Sequence, residues 1–245
     1  MEEAAELGNY LPLSFKSPKE QEYIEFLWDA FEDNYANGKY QFAFLAYHML
    51  TMSFIYFNIW HIKQTTPKDF AMGLIGFGKV VETSFLEATS PFVFSTVNER
   101  SILRFLKLLD CDNNEIGTYA KLVDDRNGTT HSNGNIFCST EAALDAKITE
   151  VLRVVDDIQR HSKSVIERCY LDFLLQNHDP DEREYPGAVD QTREILVHGN
   201  YLSQRDIEIC VGFDLATLPD DGAMGGIRLL HASLVSAYGE PHGEA

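Results

Sequence analysis

Apolar residues recur along this chain at helical spacing and scarcely anywhere at the alternating spacing of a strand. Tyr23, Ile24, Leu27, Phe31 and Tyr35 share one face behind Ser17-Pro18-Lys19-Glu20. That opening supplies an N-cap serine, a proline at the first helical position and a glutamate able to close a capping box. Asn37-Gly38 ends the helix. Residues 40–62 are almost continuously apolar and predict a helix buried on nearly every side. Thr66-Pro67-Lys68-Asp69 opens a further helix, with Phe70, Leu74, Phe77, Val81 and Phe85 in phase along it. Ser90-Pro91 breaks the pattern. Thr96-Val97-Asn98-Glu99 then reads as a second capping box, ahead of Ile102, Leu103, Phe105, Leu106 and Leu109.

After a turn at Asp112-Asn113-Asn114, the residues Ile116, Tyr119, Ala120 and Val123 trace a short helix. Its inner face, carried on by three or four residues, arrives at Arg126 and Asn127. Gly128 to Asn135 reads as a polar, glycine-containing loop. A long helix is expected from Ser139 to about Asn177, stopped by His178-Asp179-Pro180. The charged stretch 180–188 resembles a linker. Shorter helical patterns follow near 189–198, 203–216 and 224–238, the second opened by Ser203-Gln204-Arg205-Asp206. These patterns predict an all-α bundle over residues 1–179 and a small helical C-terminal extension over 180–245.

Composition narrows the function classes. The 245 residues are 44% hydrophobic, enough for a core. Their net charge of −18 repels nucleic acid at long range and counts against a broad nucleic-acid-binding surface. Cys111, Cys138, Cys169 and Cys210 are scattered, with no zinc-type spacing, and read as free thiols of a reducing compartment. Met1-Glu2-Glu3-Ala4-Ala5-Glu6 has no apolar stretch of the kind a secretory signal needs. A cytoplasmic location follows as the expectation. The run 40–62 has the length of a membrane span, but His48, Asn58 and His61 lie inside it, and polar groups in lipid are costly. A core helix is the simpler reading, with no membrane partner. A membrane-associated protein anchored by that run is the alternative.

One segment has chemical character: Asp124-Asp125-Arg126-Asn127-Gly128-Thr129-Thr130-His131-Ser132-Asn133-Gly134. A guanidinium offers a planar, permanently charged fork to a phosphodiester. An imidazole titrates near neutrality and moves protons. RNA cleavage by such a pair needs no metal, because the 2′-hydroxyl is its own nucleophile. Spacing alone is weak support, because 10 Arg and 8 His in 245 residues give about one chance pair over four to six intervening positions. Arg193 and His198 make a second such pair, but its intervening residues are mostly apolar and Glu194 competes for the guanidinium. That pair reads as ordinary helix.

The segment Arg126-Asn127-x-x-x-His131 resembles the Arg-x(4–6)-His motif of the HEPN superfamily (higher eukaryote and prokaryote nucleotide-binding domains). The amide after the arginine and the polar exit Ser132-Asn133-Gly134 fit the family pattern. The middle, Gly128-Thr129-Thr130, is less apolar than in many members. The motif covers six residues and a compatible helical context about residues 17–178. The resemblance implies an antiparallel helical bundle and a metal-independent endoribonuclease acting as a homodimer with paired active sites. It also implies a toxin or antiviral-defence setting, in which an antitoxin or other regulatory partner is expected. In the implied roles Arg126 binds the scissile phosphate of an RNA substrate. His131 is the acid or base, and Asn127 positions His131 or a phosphate oxygen. No cofactor and no metal are implied. A catalytically inactive HEPN scaffold mediating dimerisation or partner binding is the alternative, and the acidic charge favours it.

The remaining candidates have plainer readings. Asp124 and Asp125 either bias His131 toward its charged form or form ion pairs with Arg126, the second being the simpler account. Asp112, Glu115, Asp124 and Asp125 lack the spacing of a cation loop. His48 and His61 read as satisfied core histidines. Phe42, Phe44, Tyr47, Phe54, Tyr56, Phe57 and Trp60 read as core rather than base-stacking residues. Gly73, Gly76 and Gly78 read as close helix packing, and Gly222, Gly225 and Gly226 as a helix-start loop.

Overall fold

The computed structural model describes residues 2–130, 136–219 and 222–239. Among them the structure is all-α, with a lone bridge between Pro12 and Ser203 as its only extended pairing. The helices are α1 (Glu2–Ala5), α2 (Pro18–Ala36), α3 (Tyr40–Thr65), α4 (Pro67–Gly73), α5 (Lys79–Leu86) and α6 (Glu99–Leu103). They continue with α7 (Asn113–Thr130), α8 (Glu141–Asn177), α9 (Ala188–Gln191), α10 (Gln204–Val211) and α11 (Met224–Tyr238).

The chain falls into two units that divide inside α8. Met1–Gly8 and Ser17–Ser162 form the first, and Asn9–Lys16 and Lys163–Ala245 the second. The expected division after residue 179 compares with one between Ser162 and Lys163, because the later half of α8 carries the core of the second unit. Residues 9–16 join that unit through Leu13, whose amide donates to the Leu202 carbonyl at 3.0 Å.

In the first unit, α3 is the central element. It is long and apolar enough to cross a membrane, yet 83% of its most apolar stretch is buried within the protein. Three of its polar residues are satisfied one turn back along the helix, which helps such a helix sit in a core. Thr51, Ser53 and Asn58 donate to the carbonyls of Tyr47, Met49 and Phe54, one turn back. The Asn58 side-chain oxygen accepts from Ser162. α2 lies along α3 with its expected capping box at Ser17 and Glu20, and Phe31 meets Tyr47 at a ring separation of 5.3 Å. The core reading of the α3 aromatics holds for Phe44, Tyr47, Phe54, Tyr56, Phe57 and Trp60, while Phe42 is 57% exposed.

Three local expectations are corrected. The helix expected from Thr66 through Phe85 is broken between α4 and α5, where Gly76 adopts φ +99°, a conformation that excludes continued helix. Of the three glycines read as close packing, only Gly73 fits: a Cβ there would meet Leu108 and Phe105 at 3.3 Å, whereas Gly76 and Gly78 face open space. The capping residue before α6 is Asn98, whose side chain accepts from the Ser101 amide at 2.9 Å, so Glu99 is released from the expected cap at Thr96.

The second unit gathers Ile166, Tyr170, Phe173 and Leu174 of α8 with Leu196, Ile207, Cys210, Ile227 and Leu230. α10 opens with the expected Ser203–Asp206 capping box. α9 runs into a π-helical stretch, Thr192–His198. Gly226 belongs to α11 rather than to a loop before it. A Cβ there would stand 2.0 Å from the His178 carbonyl oxygen, so the position admits only glycine.

Candidate functional site

α7 extends through Thr130, three residues into the stretch expected to be loop from Gly128 on. Gly128, Thr129 and Thr130 are therefore helical, not loop. Both threonines fold their hydroxyls back onto the helix, Thr129 donating to the Asp125 carbonyl at 2.8 Å and Thr130 to that of Arg126 at 3.2 Å. Such bonds consume the side-chain polarity that made the stretch look like a loop. Arg126 and Asn127 thus stand on a regular helical turn. His131, with Ser132 to Asn135, lies outside the described residues.

The flanks of that segment are tied together. Gln41, near the start of α3, donates from Nε2 to the Thr129 carbonyl at 2.9 Å and accepts from the Phe137 amide at 2.9 Å. The Phe137 ring lies against Phe44, at 5.7 Å between centroids, and under the Lys147 ammonium. One amide side chain therefore fixes both ends of the stretch that carries His131.

Arg126 and Asn127 line a pocket of about 360 Å³ together with Tyr56, Ser95, Asn98, Glu99 and Arg100. α3, α6 and α7 each contribute to its wall. The Arg126 guanidinium, 31% exposed, is 2.8 Å from the Glu99 carboxylate. The same carboxylate lies 3.3 Å from Nε2 of His48, which is 2% exposed. His48, Glu99 and Arg126 form a chain from the core to the pocket. Burial pushes the Glu99 carboxyl up, but the His48 hydrogen bond and charge, followed by Arg126, outweigh it and hold the group below its ordinary range. The Tyr56 phenol is raised, chiefly by burial and then by the Glu99 charge.

The neighbouring acids do not take Arg126. Asp124 pairs with Arg100, and Asp125 with Lys147 at 2.7 Å. This corrects the expectation that Asp124 or Asp125 would neutralise Arg126. On consecutive helix positions, side chains point about 100° apart, so each acid meets a different cation. The acidic group Asp112, Glu115, Asp124 and Asp125 is also dispersed, since Asp112 and Glu115 serve the start of α7. His48 reads as expected, a buried histidine with a partner.

Glu99, His48, Tyr56, Asn98 and Arg100 were not legible as site residues. Each lies 26 or more residues from Arg126 in sequence, and Glu99 resembled a helix-capping residue. A second pocket of about 430 Å³, lined by Ile75, Phe77, Ser101 and Arg104, shares Val97 and Asn98 with the first. Comparison with models of known protein families, with curated proteins and with solved structures found no match.

Proposed function

We propose that the chain is a HEPN-type bundle that cleaves RNA without a metal ion, as a toxin or antiviral-defence effector of the cytoplasm. The observation that carries this reading is the pocket that Arg126 and Asn127, near the end of α7, line together with Arg100 and Asn98. A guanidinium held at 31% exposure is accessible to a phosphate yet fixed in direction by Glu99. Its remaining N–H groups are donors for non-bridging phosphate oxygens. Gln41 bridges Thr129 and Phe137 on either side of the histidine segment.

In this mechanism the 2′-hydroxyl of RNA attacks the phosphorus adjacent to it. His131 takes the hydroxyl proton or supplies a proton to the departing 5′-oxygen. Arg126 stabilises the charge gathering on the phosphate, and Asn127 positions His131 or a phosphate oxygen. The P–O5′ bond breaks as the 2′-O–P bond forms, leaving a 2′,3′-cyclic phosphate and a 5′-hydroxyl. A homodimer would set two such motifs in one cleft, and an antitoxin or regulatory partner would restrain them.

A second reading is an inactive scaffold of the same type that serves dimerisation or partner binding. The Arg126–Glu99 pair favours it, because a carboxylate already occupies the guanidinium where phosphate would bind. Purified full-length protein incubated with mixed RNAs in EDTA separates the two. Cleavage products ending in cyclic phosphate, lost in His131→Ala and in Arg126→Ala, are the expected result. Intact RNA, or cleavage unchanged in both variants, overturns the nuclease reading.

A further inference from the structure

At the other end of α7, three different ligand types converge. Cys111 Sγ, a carboxylate oxygen of Glu115 and a ring nitrogen of His161 all lie within 4.8 Å of one another. All three belong to the first unit. They come from separate places: Cys111 from the turn before α7, Glu115 from the first turn of α7, and His161 from α8.

The hydrogen bonds around them fix how each group faces. Nδ1 of His161 lies 3.2 Å from the Leu109 carbonyl oxygen. A carbonyl only accepts, so Nδ1 carries the proton, and in the neutral ring Nε2 presents a lone pair. That lone pair points at Glu115 Oε1, 3.0 Å away, which also only accepts. Either a shared proton or a metal ion fits between the two atoms. Glu115 is held in place for this. Its other oxygen accepts from the Asp112 amide at 2.6 Å, while the Asp112 carboxylate accepts from the amides of Asn114 and Glu115. A proton would satisfy histidine and glutamate alone. The Cys111 sulfur, buried at 4% exposure, stands beside them as a third donor.

We infer that Cys111, Glu115 and His161 bind one Zn²⁺ ion, with a fourth position open to water. Thiolate, imidazole and carboxylate are together a zinc donor set, and the thiol and imidazole disfavour Mg²⁺ or Ca²⁺. One thiolate and one carboxylate neutralise the dication. A tetrahedral zinc ion sets its ligand atoms roughly 3.5 Å apart, so from separations of up to 4.8 Å the cluster needs to close by no more than about 1.3 Å. A histidine donating its second nitrogen to a backbone carbonyl is the usual outer-shell arrangement of a zinc ligand. Tyr119, one turn beyond Glu115, adds a further outer layer. Its hydroxyl reaches the Cys111 thiol and donates to Asp157, one turn before His161. His161 is 24% exposed and Glu115 33%, which leaves the ion a route from solvent. The proposal is independent of RNA cleavage, whose expected resistance to EDTA it leaves untouched.

Tag-free, reduced full-length protein titrated with Co²⁺ tests the site directly. One equivalent should bind, produce a thiolate-to-cobalt charge-transfer absorption and be displaced by Zn²⁺, with a rise in Tm on metal addition. Cys111→Ser should remove the charge-transfer band, and Cys138→Ser should keep it. His161→Gln should weaken binding at least 100-fold, because one of three protein ligands is lost. No stoichiometric binding, a spectrum without a thiolate band, or a band that survives Cys111→Ser would overturn the assignment and leave a plain histidine–glutamate ion pair. The spectrum of the unaltered protein keeps the test decisive if a variant fails to fold.

Discussion

Arg126 and Arg193 each stand five residues before a histidine, and the structure treats them in opposite ways. Arg193 is 55% exposed and spends its guanidinium on its own neighbourhood, 2.8 Å from Asp190 and 2.8 Å from Glu194. Those contacts raise its already high pKa, the Glu194 hydrogen bond first. Arg126 ignores Asp124 and Asp125 beside it and reaches Glu99 on another helix, at the wall of a pocket. The same spacing therefore encodes a surface ion-pair cluster in one place and a tertiary site in the other. What distinguishes them is whether the partner acid is local or is brought in by the fold. A local acid neutralises the arginine wherever the helix lies, whereas a distant acid can be aimed.

The comparison can be broken most directly by activity. If the nuclease reading holds, Arg126→Ala should lower cleavage by about 10²–10³-fold, the loss typical of one preorganised donor to a developing charge. Arg193→Ala should change it by less than about twofold, as expected for an exposed pair. Equal losses, measured as initial rates on one RNA, would erase the distinction. Stability gives the next largest effect. Glu99→Gln leaves His48 and Arg126 without their shared carboxylate and should cost about 1–3 kcal/mol by urea unfolding. Glu194→Gln on the exposed cluster should cost no more than about 0.5 kcal/mol.

The pH dependence sharpens the same contrast. The folded-state pKa of Glu99 is depressed, so its contribution is fully present above the ordinary carboxylate range, near pH 4.5. It is lost as pH falls through the folded value, where the carboxyl takes up its proton. The stability difference between the unaltered protein and Glu99→Gln should accordingly be constant from pH 6 to 7 and shrink below about pH 4. A difference that grows on acidification would contradict the depressed pKa. Smallest of all, Asp190→Asn should leave the unfolding midpoint nearly unchanged at low salt, and less changed still as salt screens the cluster.

Much of the architecture was readable in advance because it rests on local physics. Ser17 and Glu20 cap α2 through bonds between residues three apart, and Asn177 ends α8 because a proline follows shortly after. α3 is core because a helix apolar on all faces has to be covered. The errors have local causes too. Gly128, Thr129 and Thr130 looked like a loop by composition, but back-bonded hydroxyls and the Gln41 contact at Thr129 carry the helix past them. The helix read through residues 66–85 failed at Gly76, whose positive φ overrides the apolar period around it.

Patterning along the chain is enough to make the described residues helical, to open α2, α4 and α10, and to set Arg126 and Asn127 on one turn. Those properties depend on residues within a few positions of each other. Packing settles which acid holds Arg126, that His48 backs that acid from the core, and that Cys111 and Glu115 meet His161 across 50 and 46 residues of chain. Side-chain convergence depends on how two helices are set against each other, and no periodicity along one strand of sequence records that angle or that distance.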